Sequence, residues 1–274
     1  MVTRPTKRFQ HVSKVPFLFG TVGAVALPRP VLVRQLGYLG LSRSAATTLL
    51  QRMQARQMVS AEHVGRVVVH RLIGVLADRY KRLAGEAQPP WDGRLHGVIL
   101  EIPEARRRAR DHVLQVLRDL GLGQLRPGVW IGCWDRSGPV LAAVEGELVD
   151  GDLVLCTALS MSRDDAARAL DLAYGLDARS ARIRGIIERI ERSDRRGTPT
   201  GAAALLASWR VAEQAIPELV AQADLVGELM PSDWPGAELN VRMNRYYQQH
   251  WPADQLFLLD DIANNPHAHL VERA

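Results

Sequence analysis

Six polar side chains that could hydrogen-bond to a nucleic acid recur at helical spacing in the first quarter of the chain. They are Arg43, Ser44, Thr47, Thr48, Gln51 and Arg52. In a helix, Ser44, Thr48 and Gln51 would share one face. Short hydroxyl side chains allow close approach to a groove, glutamine can pair bidentately with adenine, and arginine with guanine. The spacing therefore predicts a surface that reads double-stranded DNA.

The opposite face of this segment is apolar and predicts the element that carries the surface. Its stripe consists of Ala46, Leu49, Leu50 and Met53. These positions follow the i, i+3, i+4, i+7 pattern of a buried helical face. Ser42 is a suitable N-cap, so we expect a helix from there to about Met58.

Two shorter helices are predicted ahead of it. Val15–Ala26 is apolar and is followed by Pro28 and Pro30, which cannot continue a helix. Val31–Leu39 precedes Gly40, a suitable C-terminal stop. Two helices joined by a short glycine-containing turn, the second with polar groups outward, describe a helix-turn-helix.

A hairpin is predicted directly after these helices. Glu62–Arg71 holds two arms rich in valine and histidine around Gly65 and Arg66. Glycine at the first central position fits a type II′ turn. Such a hairpin would be the wing of a winged helix-turn-helix, with Arg66 at its tip near a phosphate or the minor groove. The alternative is a helical subdomain whose hairpin only packs.

The charge distribution agrees with a polyanion-binding head. Residues 1–90 contain 14 Lys and Arg against 3 Asp and Glu, a net charge of +11, whereas the other 184 residues have a net charge of −6. A basic module joined to an acidic body is typical of proteins that bind nucleic acid. A solvated basic surface would have the same composition.

The middle of the chain alternates strand and helix patterns. The candidate elements are Leu95–Ile102, Glu104–Leu120, Leu122–Leu125, Val129–Cys133, Pro139–Leu148 and Leu153–Leu159. Their order, β-α-β-β-α-β, is that of a ferredoxin-like domain. From Arg163 onward the pattern is helical, and the last three predicted helices are Thr200–Gln214, Glu218–Glu228 and Pro235–His250.

These patterns predict a multidomain α+β protein. We expect a winged helix-turn-helix DNA-binding domain over residues 1–75 and a linker helix with a proline linker over 76–90. A ferredoxin-like dimerisation domain follows over 91–160, and a helical effector-related domain over 161–274. No apolar run approaches the length of a membrane span, residues 1–14 lack the apolar core of a secretory signal, and two single cysteines cannot form a disulfide framework. We therefore expect a cytoplasmic protein without a membrane partner. The sheet edge and apolar face of the ferredoxin-like domain suit a two-fold contact, so we also expect a homodimer.

Four motifs in sequence resemble the PaaX-type repressors, bacterial regulators of phenylacetate degradation and related aromatic pathways. They are Pro-Pro-Trp-Asp-Gly-Arg at 89–94, Leu-Gly-Leu-Gly at 120–123, Pro-Gly-Val-Trp-Ile at 127–131 and Leu-Met-Pro-Ser-Asp-Trp-Pro-Gly at 229–236. The resemblance covers about Val15 to Trp251. It implies a winged head, a ferredoxin-like middle and a helical tail. It also implies a repressor that binds operator DNA and is released from it by an aryl-acyl coenzyme A.

We expect a candidate effector site at the junction of the middle domain and the tail, where the acyl coenzyme A that the resemblance implies would bind. Its aromatic residues would be Trp91, Trp130, Trp209 and Trp234, and its phosphate-binding residues Arg107, Arg108 and Arg210. Tryptophans more often fill cores or interfaces, and the arginines around 107 could be a solvated helix face. Arg189 and Arg192 alternate with Glu188 and Glu191, a pattern that favours pairing within one helix.

The rival function is a metal-dependent nuclease. The middle domain of PaaX-type proteins is similar to a small CRISPR-associated nuclease in which an aspartate at the end of the first strand binds the metal, and Glu101 falls at that place. A metal needs several oxygen ligands, and two copies of Glu101 in a dimer could supply a pair. His267 and His269 are a weaker metal pair. No known catalytic motif is present, so we expect no catalytic residues, no bound metal and no cofactor.

Overall fold

The computed structural model of the protein describes residues 12–74, 76–77, 91–146, 148–194 and 199–273. Two compact units emerge from the contacts: the first draws on residues 1–86, 183–219 and 237–274, and the second on 87–182 and 220–236. The basic extension before residue 12 and most of the predicted linker at 76–90 lie outside the described residues. In the parts of the chain that the structure describes, no helix has the length and apolar character needed to cross a membrane.

The first unit begins with helix α1 (Lys14–Val22) and strand β1 (Ala24–Pro28). The prediction of one helix to Ala26 is wrong at its end. Gly23 adopts a left-handed backbone with φ of 63° and its N–H bonds to the Gly20 carbonyl, which ends α1. The residues that follow pair with another strand instead of continuing the helix.

Helices α2 (Arg29–Tyr38) and α3 (Arg43–Ala55) complete the predicted helical group. Gly40, with φ of 85°, lies in the turn between them. The Ser42 hydroxyl accepts a hydrogen bond from the Ala45 N–H at 3.2 Å, so it caps α3 as predicted. The predicted apolar stripe of α3 is buried, since Ala46, Leu49, Leu50 and Met53 are at most 8% exposed.

The wing is a hairpin of β2 (Val59–Val64) and β3 (Val67–Leu72). Gly65 has φ of 62° and Arg66 does not have a positive φ, as a type II′ turn requires. β1 pairs antiparallel with β3, and β8 (Glu272–Arg273) pairs with β1. The C-terminal residues therefore complete the wing sheet in the order β2-β3-β1-β8, which the sequence analysis did not predict.

Three long helices follow in the second half of the chain: α7 (Leu176–Asp194), α8 (Gly201–Gln222) and α9 (Gly236–Ala263). The prediction of a break at Pro217 and an end at His250 is wrong, because α8 continues through Pro217 and α9 through Pro252. A proline inside a helix costs about 3 kcal/mol. In α9, the burial of the apolar Leu258 and Ile262 beyond Pro252 offsets this cost.

One hydrophobic core joins these late helices to the head. Leu205, Trp209 and Ala212 of α8 and Leu258 of α9 pack in the same cluster as the apolar residues of α1, α2 and α3. The rings of Trp209 and Phe17 meet edge to face with centroids 5.2 Å apart. The winged head is thus stabilised by residues nearly two hundred positions away.

The second unit has the predicted βαββαβ order. Its strands are β4 (Arg94–Glu101), β5 (Gly123–Arg126), β6 (Val129–Gly132) and β7 (Leu153–Ser160), and its crossover helices are α4 (Arg107–Asp119) and α5 (Ser137–Val144). A short 3₁₀ turn over Glu104–Arg106 precedes α4. The antiparallel sheet has the order β5-β6-β4-β7. The predicted α+β fold class is confirmed.

Helix α6 (Arg163–Tyr174) covers part of one face of this sheet. Ala166 and Leu170 pack against Leu95 and Ile131 of the sheet. The Tyr174 hydroxyl lies 2.9 Å from the carbonyl oxygen of Gly121 and 3.0 Å from that of Ile131, so it ties the helix end to the sheet.

Candidate nucleic-acid interface and ligand cavity

The outward face of α3 carries the predicted base-reading residues. Ser44, Thr48 and Gln51 are exposed, and Thr47 is half-buried at the edge of the face. The Ser44 hydroxyl lies 3.1 Å from the Ser42 hydroxyl, so it is partly engaged at the helix N-terminus. The buried stripe on the other side fixes the orientation of this face, because rotating the helix would expose Leu50 and Met53.

Arginines border this face at both ends of α3. Arg43 is its first residue and Arg52 lies in its last turn, and both side chains are exposed. Arg56, which the sequence analysis missed, is the exposed C-terminal cap of the same helix. Its spacing of four residues from Arg52, one helical turn, could have identified it as part of the same basic surface. Among the described residues, none of the three has an ion-pair partner.

Two other arginines of the head, Arg34 and Arg71, form ion pairs within the protein. The Arg34 Nε lies 2.6 Å from an Asp261 carboxylate oxygen, and the Tyr38 hydroxyl donates to the same carboxylate at 2.6 Å. The Arg71 guanidinium forms a two-pronged ion pair with Glu272 at 2.5 and 2.7 Å. Among the described residues of the head, exposed arginines without an ion-pair partner are therefore found on α3 and at the wing tip, where Arg66 is exposed beside Gly65.

A buried histidine supports the wing. His70 of β3 is fully buried, and its Nδ1 lies 2.9 Å from the Ser60 carbonyl oxygen, an acceptor to which Nδ1–H must donate. Burial lowers the pKa of His70, and the nearby Arg29 lowers it further. The imidazole is therefore held neutral where β2 and β3 meet.

The arginine cluster near the start of α4 is mostly engaged with carboxylates. Arg106 forms an ion pair with the buried Asp152, and Arg110 with Glu104. Arg107 has a looser contact with Asp111 at 3.8 Å, and Arg108 is exposed. Of the predicted phosphate-binding residues in this unit, Arg108 is the more available.

The predicted effector tryptophans have different surroundings. Trp130 and Trp209 are 2% and 1% exposed and fill the cores of the second and first unit respectively, which leaves their rings no surface for a ligand. Trp91 and Trp234, both in the second unit, are half-buried. The Trp91 indole N–H donates to the Arg94 carbonyl at 2.7 Å, so its polar edge is occupied locally.

Two glycines of the motifs that resemble PaaX-type proteins occupy positions in the second unit where a larger side chain would not fit. Gly128 has φ of 76°, and a Cβ there would lie 2.7 Å from the Leu100 carbonyl oxygen. A Cβ on Gly123 would lie 2.8 Å from the Tyr174 ring. These motifs therefore maintain the β5–β6 turn and the packing of α6 on the sheet.

A cavity of about 490 Å³ lies within the first unit between α7, α8 and α9. Of the predicted effector residues, Arg210 lines it, together with Arg189 and Arg192 of α7. The alternation of these α7 arginines with Glu188 and Glu191 predicts pairing within the helix instead. In the structure Glu191 binds Arg242 of α9 at 3.0 Å, and the Arg192 Nε donates to the backbone carbonyl of Glu188 at 3.2 Å.

The cavity also contains a buried acid. Asp254 is 4% exposed, and burial raises its pKa, although a hydrogen bond from Ser208 opposes this effect. Tyr246 and His250 line the cavity beside it, with their ring centroids 4.3 Å apart.

Glu101, the residue of the rival nuclease hypothesis, is exposed at the end of β4, where it pairs in register with Leu153. Within the described ranges, no group of three or more His, Cys, Asp and Glu side chains is arranged to hold a metal ion.

Comparison with known proteins identifies a matching family model and a similar solved structure. Residues 88–170 match the family model of the PaaX protein central Cas2-like domain. The solved structure of an uncharacterized protein, Rv0674 from Mycobacterium tuberculosis, is similar at 18% identity with a TM-score of 0.49, over 85% of this chain and 90% of that one. No curated protein matches the sequence. The second unit therefore contains a PaaX-type central domain, and over that domain the resemblance to the PaaX family is confirmed.

Proposed function

We propose that this protein is a homodimeric transcriptional regulator that binds double-stranded operator DNA, and a repressor released by a small effector such as an aryl-acyl coenzyme A. The observation that carries the proposal is the outward face of α3. Hydroxyl and amide groups are exposed there between arginines that have no ion-pair partner among the described residues. The PaaX-type central domain supports a regulatory role.

The hydroxyl and amide side chains of α3 and the neighbouring arginines would contact different parts of the DNA. Thr47, Thr48 and Gln51 would contact base edges in the major groove, where short hydroxyls and amides discriminate between base pairs. Arg43, Arg52 and Arg66 would contact phosphates or the minor groove and set the register on the duplex.

A second surface supports the dimer. β7 is an edge strand of the central sheet, and Ile99 of β4 pairs directly with Leu155 of β7. These side chains are 39% and 49% exposed, and the adjacent Leu153 is 39% exposed. An exposed apolar patch beside a sheet edge favours a two-fold contact between copies. Such a dimer would present two heads to half-sites about one helical turn apart.

The test is selection of bound fragments from sheared genomic DNA. The wild-type protein should enrich a defined set of sequences. A variant with Thr47→Ala, Thr48→Ala and Gln51→Ala should retain weak general DNA binding but lose this enrichment. Discrimination that survives all three substitutions would refute the assignment of α3 as the reading helix.

The control is Arg126→Ala in the central domain, which removes an exposed positive charge outside the head. It should enrich the same sequences as the wild-type protein.

A further inference from the structure

We infer that the cavity between α7, α8 and α9 binds an organic anion with an apolar body and a carboxylate or phosphate group, and that its occupation changes the DNA affinity of the head. The inference that the cavity binds an anion, its binding half, is argued from the cavity alone. The regulatory half rests on the proposed DNA-binding function.

The walls of the cavity suit an apolar body. Ile186 and Ile190 of α7 face Ala204, Ala207 and Val211 of α8 across it. Its volume of about 490 Å³ falls within the range of about 300–1,000 Å³ that holds small molecules in proteins.

Three arginines give the cavity its preference for an anion. Arg189 and Arg192 approach from α7 and Arg210 from α8. Within the described residues, neither Arg189 nor Arg210 has an ion-pair partner, and Arg192 donates to a backbone carbonyl. Arginine forms strong, directional hydrogen bonds with carboxylates and phosphates.

The acids nearby do not cancel this charge. Glu191 is held by Arg242 on the neighbouring helix. Asp254 is the acidic residue in the cavity lining, where three guanidinium groups outnumber its single carboxylate. A cavity with apolar walls and unbalanced guanidinium groups therefore favours an anion over a cation.

The helix α8 connects the cavity to the head. Ser208 and Arg210 line the cavity, while Trp209 between them faces the core and packs against Phe17 of α1. The Lys14 ammonium lies 4.6 Å from the centre of the Trp209 ring and donates to the Leu39 carbonyl at 3.0 Å, in the turn before α3.

The helix α9 provides a second connection. His250 and Asp254 line the cavity, and two turns later Asp261 holds Arg34 and Tyr38 of α2. A ligand that shifts α8 therefore acts on α1, and one that shifts α9 acts on α2, the two helices that precede α3. It changes DNA affinity only to the extent that it binds the two arrangements differently.

The binding test uses the full-length protein and the fluorescent organic anion 8-anilinonaphthalene-1-sulfonate. Octanoate and octyl phosphate should displace it, whereas the neutral 1-octanol should not. Which of the two displaces it more strongly distinguishes a carboxylate from a phosphate ligand.

Two variants locate the site. Arg189→Ala with Arg210→Ala should weaken probe binding about tenfold or more, because two charge-assisted hydrogen bonds are lost. Ala207→Trp, which fills the cavity without changing its charge, should abolish displaceable binding. The matched control Arg245→Ala removes an exposed arginine of α9 outside the cavity and should leave the affinity within about twofold. Unchanged probe affinity in both cavity variants would overturn the site.

The regulatory half is tested with a DNA fragment selected by the wild-type protein. Saturating octanoate or octyl phosphate should change its dissociation constant at least about fivefold, and the double arginine variant should bind DNA but lose this response. Anion binding without any change in DNA affinity would overturn the coupling.

Arg43→Ala separates this inference from the proposed function. It should lower DNA affinity and leave anion binding intact. Failure of the wild-type protein to bind any DNA would refute the proposed function, while the anion titration would still decide the site.

Discussion

Removing Arg43 or Arg66 should weaken binding to all DNA and reduce its salt dependence. Arg43 is exposed at the start of α3, and Arg66 is exposed at the wing tip. In the described part of the chain neither guanidinium has an ion-pair partner, so its loss removes little from the fold. The substitutions therefore report on binding itself.

The magnitude follows from counterion release. Each phosphate contact to B-DNA contributes about 0.9 to the slope of log affinity against log salt concentration. Each single substitution should flatten the slope by about 0.9, and the double variant by about 1.8. Between about 50 and 200 mM salt, each lost contact should reduce the fall in affinity by about threefold.

The assay is fluorescence anisotropy of a labelled duplex, titrated at several salt concentrations. Arg71→Ala is the matched control, since Arg71 lies on the same wing but is bound to Glu272. Its salt slope should equal that of the wild-type protein. Unchanged slopes in Arg43→Ala and Arg66→Ala, or an equal change in Arg71→Ala, would refute the proposed contacts.

Three further predictions test other parts of the account. Gln51→Ala should weaken binding to the selected duplex by about 1–3 kcal/mol and relax the preference at one base pair. Titration of a set of single-base variants of the duplex measures this preference. Equal losses of affinity on every duplex would contradict a base contact. Because burial holds the pKa of His70 below its unfolded value of 6.5, the unfolded chain takes up the proton first, and the free energy of unfolding should fall as the pH drops below about 6.5. His70→Gln, followed by chemical denaturation, should lessen this fall, and an unaltered pH profile would remove His70 as its cause. In analytical ultracentrifugation the wild-type protein should sediment as the proposed dimer and Leu155→Lys as a monomer, whereas Leu172→Lys, at an exposed residue of α6, should behave like the wild-type protein.

The winged head was predictable because its signals are local. The cap at Ser42, the stripe through Leu50 and the Gly65 turn each involve residues within a few positions of one another. The exposed face of α3 follows directly from the burial of the opposite side. The βαββαβ order was predictable for the same reason, since its turn at Gly128 and its helix stripes are short-range patterns.

The contacts that complete the head were not predictable, because they join distant parts of the chain. No pattern near Arg71 indicates Glu272 as its partner, and none near Arg34 indicates Asp261. The cavity was missed for a related reason. In the sequence, Arg189 and Glu191 look like parts of one charged helix surface. In the structure, α9 packs beside α7 and its Arg242 forms an ion pair with Glu191.

Photocross-linking from position 51 shows whether the outward face of α3 contacts the bases of the DNA. A benzoylphenylalanine in place of Gln51, on the outward face of α3, should cross-link to bases of the selected duplex. The same group in place of Gln248, an exposed residue of α9, should not. Cross-links to DNA from position 248 but not from position 51, in a protein that still binds the duplex, would contradict the account.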